Sequence, residues 1–182
     1  RSSWVADDAS LTFDRKPNGV AVSIKAPVKL ANRQVWQFAA SGRYTNGSKA
    51  IALEASFKPV RLSVLAANGS GLQSLKGFDI PVAGNLACGM NVSGALGRCK
   101  FWLNAGAGKL LLPALRHEPI ELKEAAVTAE IDFVTQRYAI SEMTWQGNTI
   151  RGKISGDGQI RFGTGGELQS LSADWTADNI FM

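Results

Sequence analysis

Apolar and polar residues alternate along most of the chain, and in most segments one parity carries the large side chains. Alternation of this kind predicts β-strands with one buried face and one solvated face. Residues 8–58 hold a first group of four such strands, with turn sequences at Pro17-Asn18-Gly19 and Asn46-Gly47. The pattern therefore predicts a meander of strands in the first third of the chain.

Residues 59–78 interrupt the alternation. We expect Pro59 to end the first group of strands. A short amphipathic helix should follow and end at Asn68-Gly69, because an i, i+3, i+4 spacing is formed by Leu62, Leu65 and Ala66. A second short helical turn is expected before Gly77. This segment is predicted to be a small helical insertion between two groups of strands.

The strand pattern returns over residues 79–182 and includes a polar turn at Thr135-Gln136. The last third weakly repeats the apolar pattern of the first, which favours a sheet that grows by adding hairpins. We predict one mainly β module spanning residues 1–182. It would be a curved, largely antiparallel sheet, either an open groove or a sheet closed on itself, with one or two short helices around residues 60–76.

Composition narrows the class of protein. The 182 residues are 45% hydrophobic and 19% charged, which is typical of a folded domain. The net charge is +5, and the 20 Lys and Arg are scattered, so nucleic-acid binding is not expected. The chain starts at Arg1 and has neither a signal-peptide core nor an apolar run of about 18 residues. We expect it to be a piece of a longer protein.

Side chains suited to catalysis are sparse. His117 is the single histidine, and its charged neighbours indicate a solvated loop position rather than part of a catalytic triad. The remaining candidates are interpreted as solvated charges and turns: Asp7-Asp8, Glu121 with Glu124, Gly106-Ala107-Gly108 and Gly163-Thr164-Gly165-Gly166. We expect no enzymatic activity, no metal and no cofactor.

Large apolar residues are more numerous than one sheet face should expose. Two short helices are too small to cover about ten strands at about 4.8 Å spacing, a sheet about 48 Å wide. Either the sheet folds on itself as a sandwich or barrel, or it curls into an apolar trough whose lining meets a lipid. Periodicity alone favours the self-covered sheet.

The two cysteines, Cys88 and Cys99, have no metal-binding spacing. If the hairpin between them turns at Ser93-Gly94, the cysteines lie opposite each other and a cross-strand disulfide is feasible. If it turns at Ala95-Leu96, the two sulfurs are about four residues apart along the strand, at about 3.3 Å each, and remain small buried hydrophobes. Both alternatives stay open.

Several segments resemble the AsmA-like superfamily, the AsmA/YhdP/TamB-type envelope proteins of Gram-negative bacteria. The stretch FKPVRLSVLAANGSGLQSLKGFDIPVAGNL is similar to the family's Leu-Ala-rich helix and Ile-Pro-x-x-Gly step, here Leu72, Leu75, Ile80, Pro81, Val82 and Gly84. NAGAGKLLLP resembles its Gly-x-Gly-x-Leu return strand, with Gly106, Gly108 and Leu110 in those places. Later strands that end in glycine, at Gly147, Gly152 and Gly156, are also similar.

The resemblance implies a non-enzymatic periplasmic module of a protein anchored in the inner membrane. Its apolar β-groove would conduct phospholipid toward the outer membrane, and its partners would be acyl chains and other envelope proteins. Parts of the parent chain outside this piece would contact the membrane. We place six side chains in the groove lining: Trp36, Phe38, Phe57, Ile131, Phe133 and Trp145. Two other hypotheses remain: a scaffold domain without a ligand, and a closed barrel that holds one small apolar ligand.

Overall fold

The computed structural model describes residues 5–6, 8–29, 35–68, 73–111, 118–162 and 168–181. Some residues considered above lie outside the described residues: Asp7, Leu72, His117 and the glycine cluster at 163–166. The described strands are β1 Val5–Ala6, β2 Ser10–Lys16, β3 Gly19–Lys29, β4 Val35–Thr45, β5 Ala50–Arg61, β6 Phe78–Asp79, β7 Pro81–Asn91, β8 Leu96–Ala105, β9 Gly108–Leu110, β10 Ile120–Asp132, β11 Arg137–Gly147, β12 Arg151–Phe162 and β13 Leu168–Phe181. Helix α1 spans Leu62–Asn68, and a 3-10 helix spans Gln73–Gly77.

All thirteen described strands belong to one antiparallel sheet. Ten of them follow one another across it in the order β1-β3-β4-β5-β7-β8-β10-β11-β12-β13. The short strands β2, β6 and β9 pair beside this path. Because β13 pairs only with β12 among the described strands, the sheet is open rather than closed. The predicted mainly β fold with short helices around residues 60–76 is confirmed.

Turn chemistry explains several of the hairpins. Asn46 and Gly47 connect β4 to β5, and Gly47 has the positive φ of 78° that a turn glycine supplies at little cost. Between β7 and β8, Gly94 has a φ of 88°, and the Asn91 side chain accepts the backbone N–H groups of Ser93 and Ala95 at 3.0 and 2.9 Å. The hairpin therefore takes the first of the two turns considered for the cysteines.

The helical segment does not divide the sheet. Strand β5 pairs directly with β7, so the strand groups at 8–58 and 79–182 form one continuous sheet. The expectation that Pro59 ends the first group is wrong, because β5 continues to Arg61. Pro59 lies instead within a register shift between Phe57 and Val60, where a residue without an N–H is tolerated.

Irregularities at the same level of neighbouring strands bend the sheet near one end. After the shift in β5 come the break at Ile80 between β6 and β7 and the break between β8 and β9. A further shift in β10 lies between Leu122 and Glu124. Such bulges increase local bending, and Leu62 of α1 packs against the residues at this level.

The hydrophobic core lies at this bend. Ile80, Val82 and Leu122 form its buried centre. Partly buried residues packed against them are Phe57, Leu62, Phe78, Leu103, Ala105, Leu110, Ala125 and Trp145. The start of α1 is tied to the sheet, because the Leu62 N–H donates to the Ile80 carbonyl at 3.1 Å and Ser63 donates to the Asp79 carboxylate at 3.0 Å.

Candidate functional site

One face of the sheet is apolar across ten strands, from β2 through β3, β4, β5, β7, β8, β10, β11 and β12 to β13. Directly paired residues point to the same face of an antiparallel sheet, so the register identifies each face. One such row, read from the first edge to the last, is Phe13, Val22, Gly42, Leu53, Cys88, Cys99, Ile131, Tyr138, Gly158 and Ala173. We call this surface, which includes the parallel rows beside it, the apolar face.

Away from the bend, all described strands belong to the same sheet and no described helix lies over the apolar face, although Cys99, Tyr138 and Ile160 are buried there. Most of its side chains are half-buried by their neighbours, and those at the two edges are exposed, such as Phe13 at 68% and Leu171 at 55%. The chain keeps 12233 Å² of accessible surface, whereas a compact monomer of 19.4 kDa exposes about 8,500 Å². The excess is what a single curved layer produces.

Three of the six predicted lining residues form an aromatic cluster on the apolar face. The ring centroid of Trp36 lies 6.1 Å from that of Phe38 and 5.8 Å from that of Phe57. Phe38 and Phe57 are directly paired across β4 and β5. These distances are in the range in which aromatic rings attract each other. The cluster stands beside the bend, since Phe57 also packs against the core there.

Glycines on the apolar face make room for large neighbours. A Cβ at Gly84 would lie 2.5 Å from Cδ2 of Leu103 and 3.0 Å from Cε1 of Phe57. A Cβ at Gly152 would overlap the ring of Trp145, which is paired with it. Both glycines belong to the motif steps noted in the sequence. Large side chains of neighbouring strands therefore occupy the space above these two glycines.

The remaining candidates, Ile131 and Phe133, lie toward the opposite end of the strands. Ile131 belongs to the apolar face and is paired with Cys99 and Tyr138. Phe133 follows β10 directly, is half-buried, and donates its N–H to the Gly97 carbonyl at 3.1 Å. These two residues are therefore separated from the aromatic cluster along the strand direction.

A disulfide joins Cys88 to Cys99 on the apolar face. The two residues are directly paired, with an S–S distance of 2.06 Å and a Cα–Cα distance of 4.1 Å. Cys99 is only 1% exposed. The bond ties β7 to β8 in the middle of the sheet, where α1 provides no cover.

At the last edge, β13 approaches β12 from the apolar side. A Cβ at Gly158 would overlap the Ser172 carbonyl and lie 2.9 Å from Cε1 of Tyr138. Tyr138 is buried, and its ring centroid lies 6.5 Å from that of Trp175. Desolvation, with the nearby Asp157 and Asp174 carboxylates, raises the pKa of Tyr138. The hydroxyl therefore stays neutral on this face.

The opposite face is polar and carries cross-strand ion pairs. Arg98 lies 3.0 Å from Glu130 and 3.6 Å from Asp132, between β8 and β10. Lys153 lies 2.6 Å from Glu142 and accordingly has a raised pKa. The two surfaces thus differ in chemistry across the whole sheet, so water is expected on one and apolar material on the other.

Several lining residues of the apolar face were missed in the sequence. Leu86 and Phe101 are paired at its centre, and Tyr138 and Trp175 lie near the last edge. Parity within each strand hints at all four. Only the pairing register, however, shows that they share a face with Ile131 and Phe57.

Two features are absent from the described part of the chain: a candidate metal cluster and a candidate membrane-spanning helix. It contains no group of three or more His, Cys, Asp or Glu side chains that could hold a metal ion. Neither of its helices is long and apolar enough to cross a membrane. Comparison with known proteins finds no matching family model, no matching curated protein and no matching solved structure.

Proposed function

We propose that this chain is a non-enzymatic module that binds acyl chains of phospholipid along its apolar face. The observation that carries the proposal is an apolar face that runs across ten strands and exposes large side chains at both edges, with an ion-paired polar surface behind it. A soluble monomer rarely exposes so large an apolar patch unless something binds there. Lipid tails match its chemistry.

The physical gain from such a surface is large. Each methylene removed from water is worth about 0.8 kcal/mol, so an acyl chain lying on an apolar floor loses most of the cost of crossing an aqueous space. No reacting group is needed for this. We further propose that the module works in the periplasm, within an AsmA-like parent protein anchored in the inner membrane, and serves lipid homeostasis of the outer membrane.

The experiment uses neighbouring aromatic residues that point to opposite faces. Phe101 belongs to the apolar face, whereas Trp102, the next residue of β8, belongs to the polar face and is exposed. Each is replaced in turn by a photo-crosslinking phenylalanine analogue, and the protein is irradiated in cells. Lipid adducts identified by mass spectrometry are expected at position 101 and not at position 102.

A second measurement tests retention without a probe. Lipid extraction and native mass spectrometry of the purified chain should find phospholipid, and Leu86→Asp should remove it, while Trp102→Asp should not. Phe57 and Phe133 serve as further probe sites. If the probes at positions 57, 101 and 133 capture only protein, and if no phospholipid co-purifies, the proposal of lipid binding is wrong. The scaffold hypothesis then takes its place. The barrel hypothesis has no structural support, since the described strands do not close.

A further inference from the structure

Among the described strands, β2 and β13 lie at the two edges of the sheet and are its most exposed strands. Every residue of β2 is exposed, and so is every residue of β13 from Gln169 to Asp178. Large apolar side chains are exposed at both edges: Leu11, Phe13, Leu171 and Trp175. An unpaired strand edge with exposed apolar residues is a template for pairing with another strand.

The two edges differ in charge. Strands β2–β5 carry seven Lys and Arg against two Asp and Glu, a net charge of +5. Strands β10–β13 carry five Lys and Arg against eight Asp and Glu, a net charge of −3. At the last edge, Asp174 is paired directly with Asp157, which lies 3.5 Å from Arg137 on the inner side. Like charges opposite each other are unfavourable, and no described cation forms an ion pair with Asp174 itself. That edge therefore favours a cationic neighbour.

The even number of strands allows the β2 edge of one copy to pair antiparallel with the β13 edge of another. The path from the first edge to β13 has ten strands with antiparallel neighbours throughout, so β2 and β13 run in opposite directions. A second copy placed beside β13 would therefore present its β2 antiparallel to β13, with the apolar faces of both copies on the same side. An odd number of strands would have forbidden this arrangement.

We propose that β13 pairs with the β2 edge of a second copy of this chain, head to tail. Registers that keep the apolar faces of the two copies on the same side differ by steps of two. One of them sets Asp14 against Asp174. The next sets Lys16 opposite Asp174 and Arg15 opposite Trp175, which combines an ion pair with a cation–π contact. The latter register is the one assigned.

This contact would extend the apolar face from one copy to the next, but it does not depend on lipid binding. It rests on strand direction, edge exposure and charge alone. Because a head-to-tail contact leaves one free edge at each end, association should continue beyond the dimer as concentration rises. Salt should weaken it, since exposed charges are screened.

The test is charge reversal followed by mixing. The weight-average mass of the wild-type chain, measured by sedimentation, should rise with concentration. Lys16→Asp and Asp174→Lys are each expected to weaken association by about tenfold. An equimolar mixture of the two variants should associate again, because each cationic edge then meets an anionic one. Lys58→Asp, on the inner strand β5, makes the same charge change away from the edges and should have no effect.

Cross-linking tests the register. In the assigned register Asp14 lies opposite Thr176, so mixed Asp14→Cys and Thr176→Cys chains should form an intermolecular disulfide on oxidation. Mixed Asp14→Cys and Ser172→Cys chains should not.

Three results would overturn the proposal. One is a wild-type chain that stays monomeric. Another is association that neither charge reversal changes, which would point to contact between apolar faces. The third is association that disappears in a longer parent chain, which would assign the β13 edge to another strand of that same chain.

Discussion

The apolar face is covered by α1 at the bend and is exposed at the last edge of the sheet, although both regions have the same alternating sequence. At the bend, Leu122 is 4% exposed beneath α1 and the shifted strand ends. On the last strand, Leu171 points to the same face and is 55% exposed. Alternation therefore selects which face of the sheet is apolar, whereas burial depends on whether another element packs against that face.

The largest effect is expected in the covered region. Leu122→Ala should lower the free energy of unfolding by about 3 kcal/mol, because it removes buried methyl groups and leaves a cavity. The matched change Leu171→Ala should cost under about 1 kcal/mol, since that side chain is already half in water. Urea denaturation followed by circular dichroism measures both. Equal losses would mean that the two regions do not differ in burial.

Outside the region covered by α1, the buried pair Cys88 and Cys99 joins two neighbouring strands covalently. Replacing both cysteines, Cys88→Ala with Cys99→Ala, should cost about 3 kcal/mol, because the bond closes a short loop in the unfolded chain. The same denaturation experiment on the reduced wild-type chain separates loss of the bond from loss of the sulfur atoms. If the reduced chain is as stable as the oxidised one, the bond contributes nothing to this region.

The close packing of β13 against β12 at Gly158 should be sensitive to a single added methyl group. Gly158→Ala places a Cβ against the Ser172 carbonyl and should cost about 2 kcal/mol through overpacking. Gly89→Ala, with nothing within 4 Å of its added Cβ, should instead gain about 0.5 kcal/mol, because glycine is unfavourable in a strand. Thermal unfolding compares the two variants. A neutral Gly158→Ala would show that β13 can move away from β12.

The smallest effect is expected on the polar face. The Asp132 carboxylate accepts the N–H groups of Thr135 and Val134, and together with the nearby Arg98 these bonds lower its pKa. Its stabilising effect is therefore present above the usual carboxyl pKa and is lost as pH falls through the lowered value. Between pH 5 and pH 2, the melting temperature of Asp132→Asn should fall less than that of the wild-type chain. Parallel curves for the two proteins would contradict this.

Local signals predicted the elements better than their contacts. The turn at Asn46-Gly47 and the helix at Leu62–Asn68 follow from residue types within a few positions of each other. The prediction that a strand ends at Pro59 was wrong because a proline in a bulge and a proline that ends a strand look alike in sequence. Phe101 and Tyr138 were missed because a lining residue is defined by its neighbours on other strands.

The alternating pattern of the sequence was enough to predict a β-sheet with one apolar and one polar face, because side chains alternate with a period of two along a strand. The sequence also located most of the turns. The tertiary structure was needed to show that the two strand groups form one open sheet, that Cys88 meets Cys99, and that the cluster of Ile80, Val82 and Leu122 lies at the bend. These features depend on register and bulges, which are set by contacts between distant strands rather than by neighbours in the chain.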